Sequence, residues 1–545
     1  MNRLIARILA FFLFLSAAAL LAMTSASAVT SSPLISAEQL ASRLASSDPP
    51  LLLDASFPQL HAAGHVEGAV SVNLFAYAAG TRTLAQMSQL FQSWGLKPGR
   101  KVVLMDEGGT FMATRLYYDL YRYGFPIADV AVLDGGLARW RAIGGAVTQA
   151  QTGAPKPGDF QPSLKKDAEV SSDLNAIVSA SGDPVHHALV DALEPDYYYG
   201  ERKFFDRAGH LPNARLWPVE DFFNADKTFK STAEIARMRE HVGIRPEQEV
   251  HVYCGGGVAA SVPFFAMKFL LNLPDVKLFA GSEAEWLRDE RGLPFWTYES
   301  PALLRDAQWL NGWNNGMTRM YGVARLSVID VRPAEAYMQG HLPFAQNIPA
   351  ALFRQHMGDR ASLAGLLAAA GVRAEHEVVI VGTGGLNPDV ALAFALLERQ
   401  GLKRVSVLMD SVEDWGFAGL ALEKAARPVS AAPVAALAGL MTGDGGKASR
   451  PAQFARVYLA AGAKPPGSTP RDGTLIHLPY AELLDAQHRP KPAKALWQVL
   501  SKAGVPRYAE IVATGDDAGE AAMDYFVLKL MGYADVKLVL PDSKT

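Results

Sequence analysis

A Gly-His pair occurs three times, at Gly64-His65, Gly209-His210 and Gly340-His341, and a tryptophan recurs at Trp140, Trp286 and Trp415. The histidines lie 145 and 131 residues apart, the tryptophans 146 and 129. Two markers returning in the same register constrain the chain more than any composition does. They require a repeated domain, not one large core. The length agrees, since 545 residues exceed what a single core fills and roughly three to five domains are expected.

Each copy follows one order. An apolar strand ends in aspartate (Leu51–Asp54; 189–191; 328–330), and the Gly-His pair comes next. A second strand follows (Val102–Met105; Glu249–Tyr253; 378–381), then a glycine-rich turn and a helical stretch (112–123; 262–271; 390–399). A third strand (Val130–Leu133; Val276–Phe279; 405–409) leads into the tryptophan segment. Strands alternating with helices at this spacing predict an α/β fold, each domain a mainly parallel sheet flanked by helices. A weaker fourth copy runs through Ile476-His-Leu-Pro479, a strand at 511–513, a helix at 521–530 and a strand at 536–540, without a Gly-His pair. The expected domains are 33–155, 159–298, 306–425 and a degenerate or truncated 440–545. Linkers are expected at 153–158, 298–305 and 443–471, the last in part a loop of domain four.

Residues 1–28 read as a secretory signal peptide: Arg3 and Arg7, an apolar run over 9–23, and a small-residue cleavage site at Ala26-Ser27-Ala28. The expected location is the periplasm or outside the cell, with no stable membrane insertion after cleavage. A formal net charge of -3 gives no basis for nucleic-acid binding.

Cys254 is the single cysteine, so no internal disulfide exists. In an oxidising compartment such a thiol is either buried and inert or kept for its chemistry. It stands where a strand meets a helix, before Gly255, Gly256 and Gly257. A glycine-rich turn lets several backbone N–H groups converge, and with a helix start it favours a thiolate and an anion on its sulfur. The other copies have Met105 or Asp106, Val381 or Gly382, and Ala513 or Thr514 at this place, so nucleophilic sulfur chemistry is confined to the second. No metal site and no cofactor are expected, because compact Cys/His ligand spacings are absent. The turn lacks Gly-Lys-Ser/Thr, which excludes a nucleotide phosphate loop. A Cys-x5-Arg phosphatase needs arginine where Ala260 stands. His251, three residues before the cysteine on a strand, faces away from it. Asp54, Asp191 and Asp330, like the three Gly-His histidines, recur without regard to the cysteine and are expected to be structural.

The Asp…Gly-His pattern, Cys254-Gly255-Gly256-Gly257-Val258-Ala259 and Leu133-Asp-Gly-Gly-Leu-Ala-Arg-Trp140 resemble the rhodanese (thiosulfate/3-mercaptopyruvate sulfurtransferase) family, in particular exported multi-domain members. The resemblance implies tandem rhodanese-like domains with one catalytic copy. Cys254 would take sulfane sulfur from thiosulfate, 3-mercaptopyruvate or a polysulfide, hold it as a persulfide, and pass it to cyanide, a small thiol or a protein thiol. Backbone N–H groups from Gly255, Gly256, Gly257, Val258, Ala259 and Ala260 would cradle it. Two other readings are a sulfur carrier whose cysteine-free repeats dock a partner, and a scaffold with a degenerate site. The resemblance departs at Gly255 and Gly256, where many thiosulfate users carry basic residues, at Ala259 in place of a hydroxyl residue, and at Tyr197 where an arginine often stands. These changes put thiosulfate in doubt as the natural donor. Arg202, Lys203 and Arg207 are the candidate replacements at the pocket mouth, with Tyr197 and His210.

Overall fold

The fold was obtained as a computed structural model, which describes residues 32–78, 82–425, 427–439, 454–466 and 471–540. The expected signal peptide lies outside the described residues, as do 443–453 and 467–470 of the third expected linker.

Three parallel sheets share one strand order. In the first, Leu34–Ile35, Val130–Leu133, Val102–Met105, Leu51–Asp54 and Val70–Ser71 lie side by side. In the second the order is Ser171–Ser172, Val276–Phe279, Glu249–Tyr253, His187–Asp191 and Ala214–Leu216. In the third it is Leu304–Arg305, Val405–Leu408, Glu377–Val381, Leu326–Asp330 and Gln346–Asn347. The inner strands are continuous apolar runs such as Val102-Val-Leu-Met105, buried on both faces, as a sheet with helices on each side requires. The result is α/β, with mainly parallel sheets flanked by helices.

A fourth sheet has the order Val536–Leu538, Glu510–Thr514, Arg456–Ala460 and Thr474–His477, four strands where the others have five. Two linker expectations need correction here. Arg456–Ala460, inside the expected 443–471 linker, is an inner strand of this sheet. Leu304–Arg305, inside the expected 298–305 linker, is the edge strand of the third.

Pairing register fixes the position equivalent to Cys254 without ambiguity. Tyr253 pairs with Asp191, Met105 with Asp54, Val381 with Asp330 and Thr514 with Ala460. The next residues are Cys254, Asp106, Gly382 and Gly515. In the fourth sheet this is one residue beyond the expected Ala513 or Thr514.

The chain divides into two compact units, one of Met1–Glu169 with Phe223–Phe229, the other of Val170–Phe222 with Lys230–Thr545. The first sheet has its own core around Ile35, Leu52, Met105, Leu133 and Trp140. In the larger unit one continuous apolar core runs from Ile177 and Leu189 through Ile380 and Phe394 to Ile511 and Phe526. Among the described residues no helix is long and apolar enough to cross a membrane.

The recurring markers are struts. His65, His210 and His341 each direct Nδ1 at a backbone oxygen of the preceding helical turn, those of His61, Tyr198 and Tyr337. Each stacks on the ring there, with centroids 3.8, 3.6 and 3.8 Å apart. Glycine is needed before His210, because a Cβ on Gly209 (φ 126°) would stand 2.0 Å from the Trp296 oxygen. Trp140, Trp286 and Trp415 each donate Nε1–H to a backbone oxygen six or eight residues on.

Candidate active site

Cys254 leaves the central strand of the second sheet, where both neighbouring strands hold the backbone in place. Its side chain is buried, with the residue 3% exposed. The Gly257 N–H donates to Sγ at 3.1 Å, and the backbone of Gly256 and Ala260 also favours a charge on the sulfur. Gly257 has φ 79°, and a Cβ there would lie 2.3 Å from the Ala280 oxygen, so this turn requires glycine. Ser261–Phe265 then starts a helix that continues as a π-helical turn over Ala266–Leu270.

The loop is braced from behind by the tryptophan segment. Glu283 N–H donates to the Cys254 oxygen (3.0 Å) and Ala284 N–H to that of Gly255 (3.1 Å). Cys254 N–H donates to Ser282 Oγ (3.1 Å), and that hydroxyl donates to the Phe279 oxygen (2.8 Å). Ser282 holds φ 49°, where the first repeat has Gly136 at φ 53°. The hydroxyl bridge accompanies this left-handed conformation, which costs a non-glycine residue of order 1 kcal/mol.

The first repeat shows what such a turn accepts. Asp106, in the register of Cys254, takes N–H groups from Gly108 (2.8 Å) and Ala113 (3.0 Å) and the Thr110 hydroxyl (2.7 Å) on its carboxylate. One repeat thus fills its turn with a built-in anion, and the other directs the same kind of donors at sulfur.

Electrostatics correct one expectation. Burial pushes the Cys254 thiol up, and although the N–H groups of Ala260, Gly256 and Gly257 favour the thiolate, they do not outweigh it; the nearby Asp191 charge adds to the rise. Asp191 and Glu283 are both buried and both raised by burial; the Asp191 charge raises Glu283 further, and the Glu194 charge raises Asp191. Glu283 is 2% exposed and its Oε1 has no hydrogen-bond partner among the described residues. Counting back from the tryptophan, the first and third repeats have Leu137 and Val412 there.

The loop opens at Gly256, which is exposed and where an added Cβ meets nothing, and is half open at Val258 and Ala259; Gly255 is buried. Over Gly255 lies Phe204, 2.9 Å from where a Cβ would be, with its own side chain half exposed. Tyr197 packs on Phe204 (5.2 Å between centroids), and Arg202 lies over Tyr197 at 4.1 Å. Arg202 is bound to Asp196 and faces Glu194 at 3.8 Å, so its charge is already matched. Lys203 is exposed and has no carboxylate partner among the described residues. Arg207 lies over Phe295 at 5.7 Å. His210 is not at the mouth: it is fully buried, stacked on Tyr198, and burial pushes its imidazole down to about 3, so it stays neutral. Tyr198 and Tyr199 are buried, leaving Tyr197 as the member of the triplet at the rim. Phe204, Ser282 and Glu283 were not singled out from sequence. The last two are visible in it as departures from Gly136 and Leu137 in the repeat register.

The rhodanese-like domain model matches residues 36–143 and 315–418, neither of which includes Cys254. Over 285 residues the chain is 33% identical to the "Probable 3-mercaptopyruvate sulfurtransferase" of Pseudomonas aeruginosa, covering 48% of this chain and 98% of that relative. The chain belongs to the rhodanese family. Another relative is the "Sulfur carrier protein TtuD" of Thermus thermophilus, 27% identical over 215 residues, covering 37% of this chain and 73% of that protein. Within this rhodanese, Cys254 stands in one of four related sheets. The register places Asp106, Gly382 and Gly515 in the others.

Proposed function

We propose that this chain is an exported sulfurtransferase in which Cys254 carries sulfane sulfur as a persulfide. The observation that carries the reading is the set of backbone N–H groups aimed at Sγ, in a turn whose counterpart holds the Asp106 carboxylate. With thiosulfate, the Cys254 thiolate attacks the outer sulfur; an S–S bond to Cys254 forms, the donor's S–S bond breaks, and sulfite leaves with the electron pair. With 3-mercaptopyruvate a C–S bond breaks, and pyruvate leaves once its enolate takes a proton. An acceptor thiolate or cyanide then attacks the outer sulfur and restores the Cys254 thiolate. The thiol must first lose its proton, and the open side of the loop at Gly256 gives solvent a path to it.

The reading favours 3-mercaptopyruvate or a polysulfide over thiosulfate. The rim offers an aromatic wall of Phe204 and Tyr197 and an Arg202 already paired, which suits a doubly charged sulfonate poorly. The relative named as a sulfur carrier supports the second reading, in which the persulfide is handed to a protein thiol.

Intact-mass spectra after incubation with each donor test the proposal. Wild type is expected to gain one sulfur atom that cyanide removes, and Cys254→Ser to gain none. Equal gain in both proteins, or none in either, overturns it. Slow release to small acceptors with fast release to one protein selects the carrier reading. Export is tested by N-terminal sequencing of the protein recovered from its native host, with cleavage after Ala28 expected.

A further inference from the structure

Away from the sulfur, the second sheet gathers three metal-ligating side chains that no short sequence motif announces. His187 and Glu249 face each other across the ladder between the two central strands, and His251 lies two residues further along. Residues two apart on a strand share a face, so all three project to the same side. His187 Nδ1 lies 3.2 Å from His251 Nε2, and Glu249 Oε1 lies 3.6 Å from the same nitrogen. The three ligand atoms fall within 4.8 Å of one another. Around a tetrahedral zinc ion with bonds of about 2.0–2.1 Å, neighbouring ligand atoms stand about 3.3 Å apart. The separations from His251 Nε2 are already close to that value.

The supporting contacts fit as well. The hydroxyl of Ser172 lies 2.7 Å from His251 Nδ1. When Nδ1–H donates to it, Nε2 is left as a lone pair facing His187 and Glu249, the arrangement that orients a ligating imidazole. His251 is 1% exposed, whereas His187 and Glu249 are half buried, so the cluster is anchored inside and open outside. One feature opposes a cation: the Lys277 ammonium lies 2.6 Å from Glu249 Oε1.

We propose that His187, Glu249 and His251 form a zinc-class divalent metal site, distinct from Cys254, with water completing the coordination. Two imidazoles and one carboxylate select a borderline ion such as zinc over magnesium. Lys277 competes for the carboxylate and weakens the site.

The test uses the whole protein, stripped with chelator, carrying Cys254→Ser so that the thiol holds no metal. Zinc chloride is titrated at neutral pH by calorimetry, and melting temperature is followed in parallel. One equivalent is expected to bind and to raise the melting temperature. Adding His187→Ala, at a half-buried position, is expected to weaken binding by about tenfold or more. Lys277→Gln is expected to tighten it, and His186→Ala to leave it unchanged. A hydrogen-bonded histidine pair with no metal role predicts no heat and no thermal shift with zinc, which overturns the proposal. So does binding that His187→Ala leaves intact, or magnesium binding as tight as zinc.

Discussion

At the scale of single residues, the loop after Cys254 separates positions that tolerate a side chain from positions that do not. Gly256→Arg adds a Cβ into open space and brings a positive charge onto the loop itself. Steady-state assays are expected to show kcat/KM for thiosulfate rising several-fold, with 3-mercaptopyruvate little improved. Gly257→Ala must hold φ 79° against the Ala280 oxygen; it should cost at least about 1 kcal/mol in denaturant melts and most of the activity. Glu283 makes a stability prediction with a definite sign. Its carboxyl is raised by burial in the folded protein, so its proton is held more tightly there than in the unfolded chain. The stability tied to that proton is present in acid and is lost as pH climbs past the ordinary glutamate range toward the raised value. Glu283→Leu, the residue of the first repeat, is therefore expected to add about 1–3 kcal/mol at neutral pH and to flatten the pH profile. Cys254 and its glycines were legible in sequence because nucleophile and turn are contiguous. The charge balance was not: burial and the Asp191 carboxylate, distant in sequence, raise the thiol. The matched charge of Arg202 likewise depends on Asp196 and Glu194 folding back on it.

At the scale of elements, the short strands and their order were readable because the inner strands of a sheet covered on both faces are mostly apolar, even where His251 or Lys277 interrupts them. Val102–Met105, Glu249–Tyr253 and Val276–Phe279 fall where their composition places them. Arg456–Ala460 escaped for a physical reason. Its sheet has Ala460 where the others end in Asp54, Asp191 and Asp330, and Gly/Pro-rich sequence surrounds it. The Gly-His pair proved to be a strut, in line with its recurrence where no cysteine follows. His210→Ala removes a stacked ring and strands the Tyr198 oxygen. It should cost about 2 kcal/mol in thermal melts, while the pH dependence of sulfur loading keeps its midpoint, because a histidine held neutral contributes no titration there.

At the scale of the molecule, the degenerate fourth copy supports the one that carries Cys254. Trp497 stacks on Tyr199 at 5.3 Å, Tyr199 donates its hydroxyl to the Met531 oxygen, and Gln498 donates to Glu201. These contacts hold the segment that carries Tyr197 and Arg202. Trp497→Ala is expected to raise KM more than it lowers kcat, since it loosens the rim and leaves the sulfur's donors in place. The Asp106 turn carries the last consequence. There the backbone donors meet a carboxylate; in the second repeat they face a thiol whose pKa burial pushes up. A persulfide is more acidic than a thiol, so under the proposed function bound sulfur would act as a ligand of the native state and should stabilise it by mass-action linkage. Protein loaded with sulfur is expected to melt above the same protein discharged by cyanide. The difference should vanish in Cys254→Ser. A cargo that stabilises its carrier is retained until an acceptor arrives.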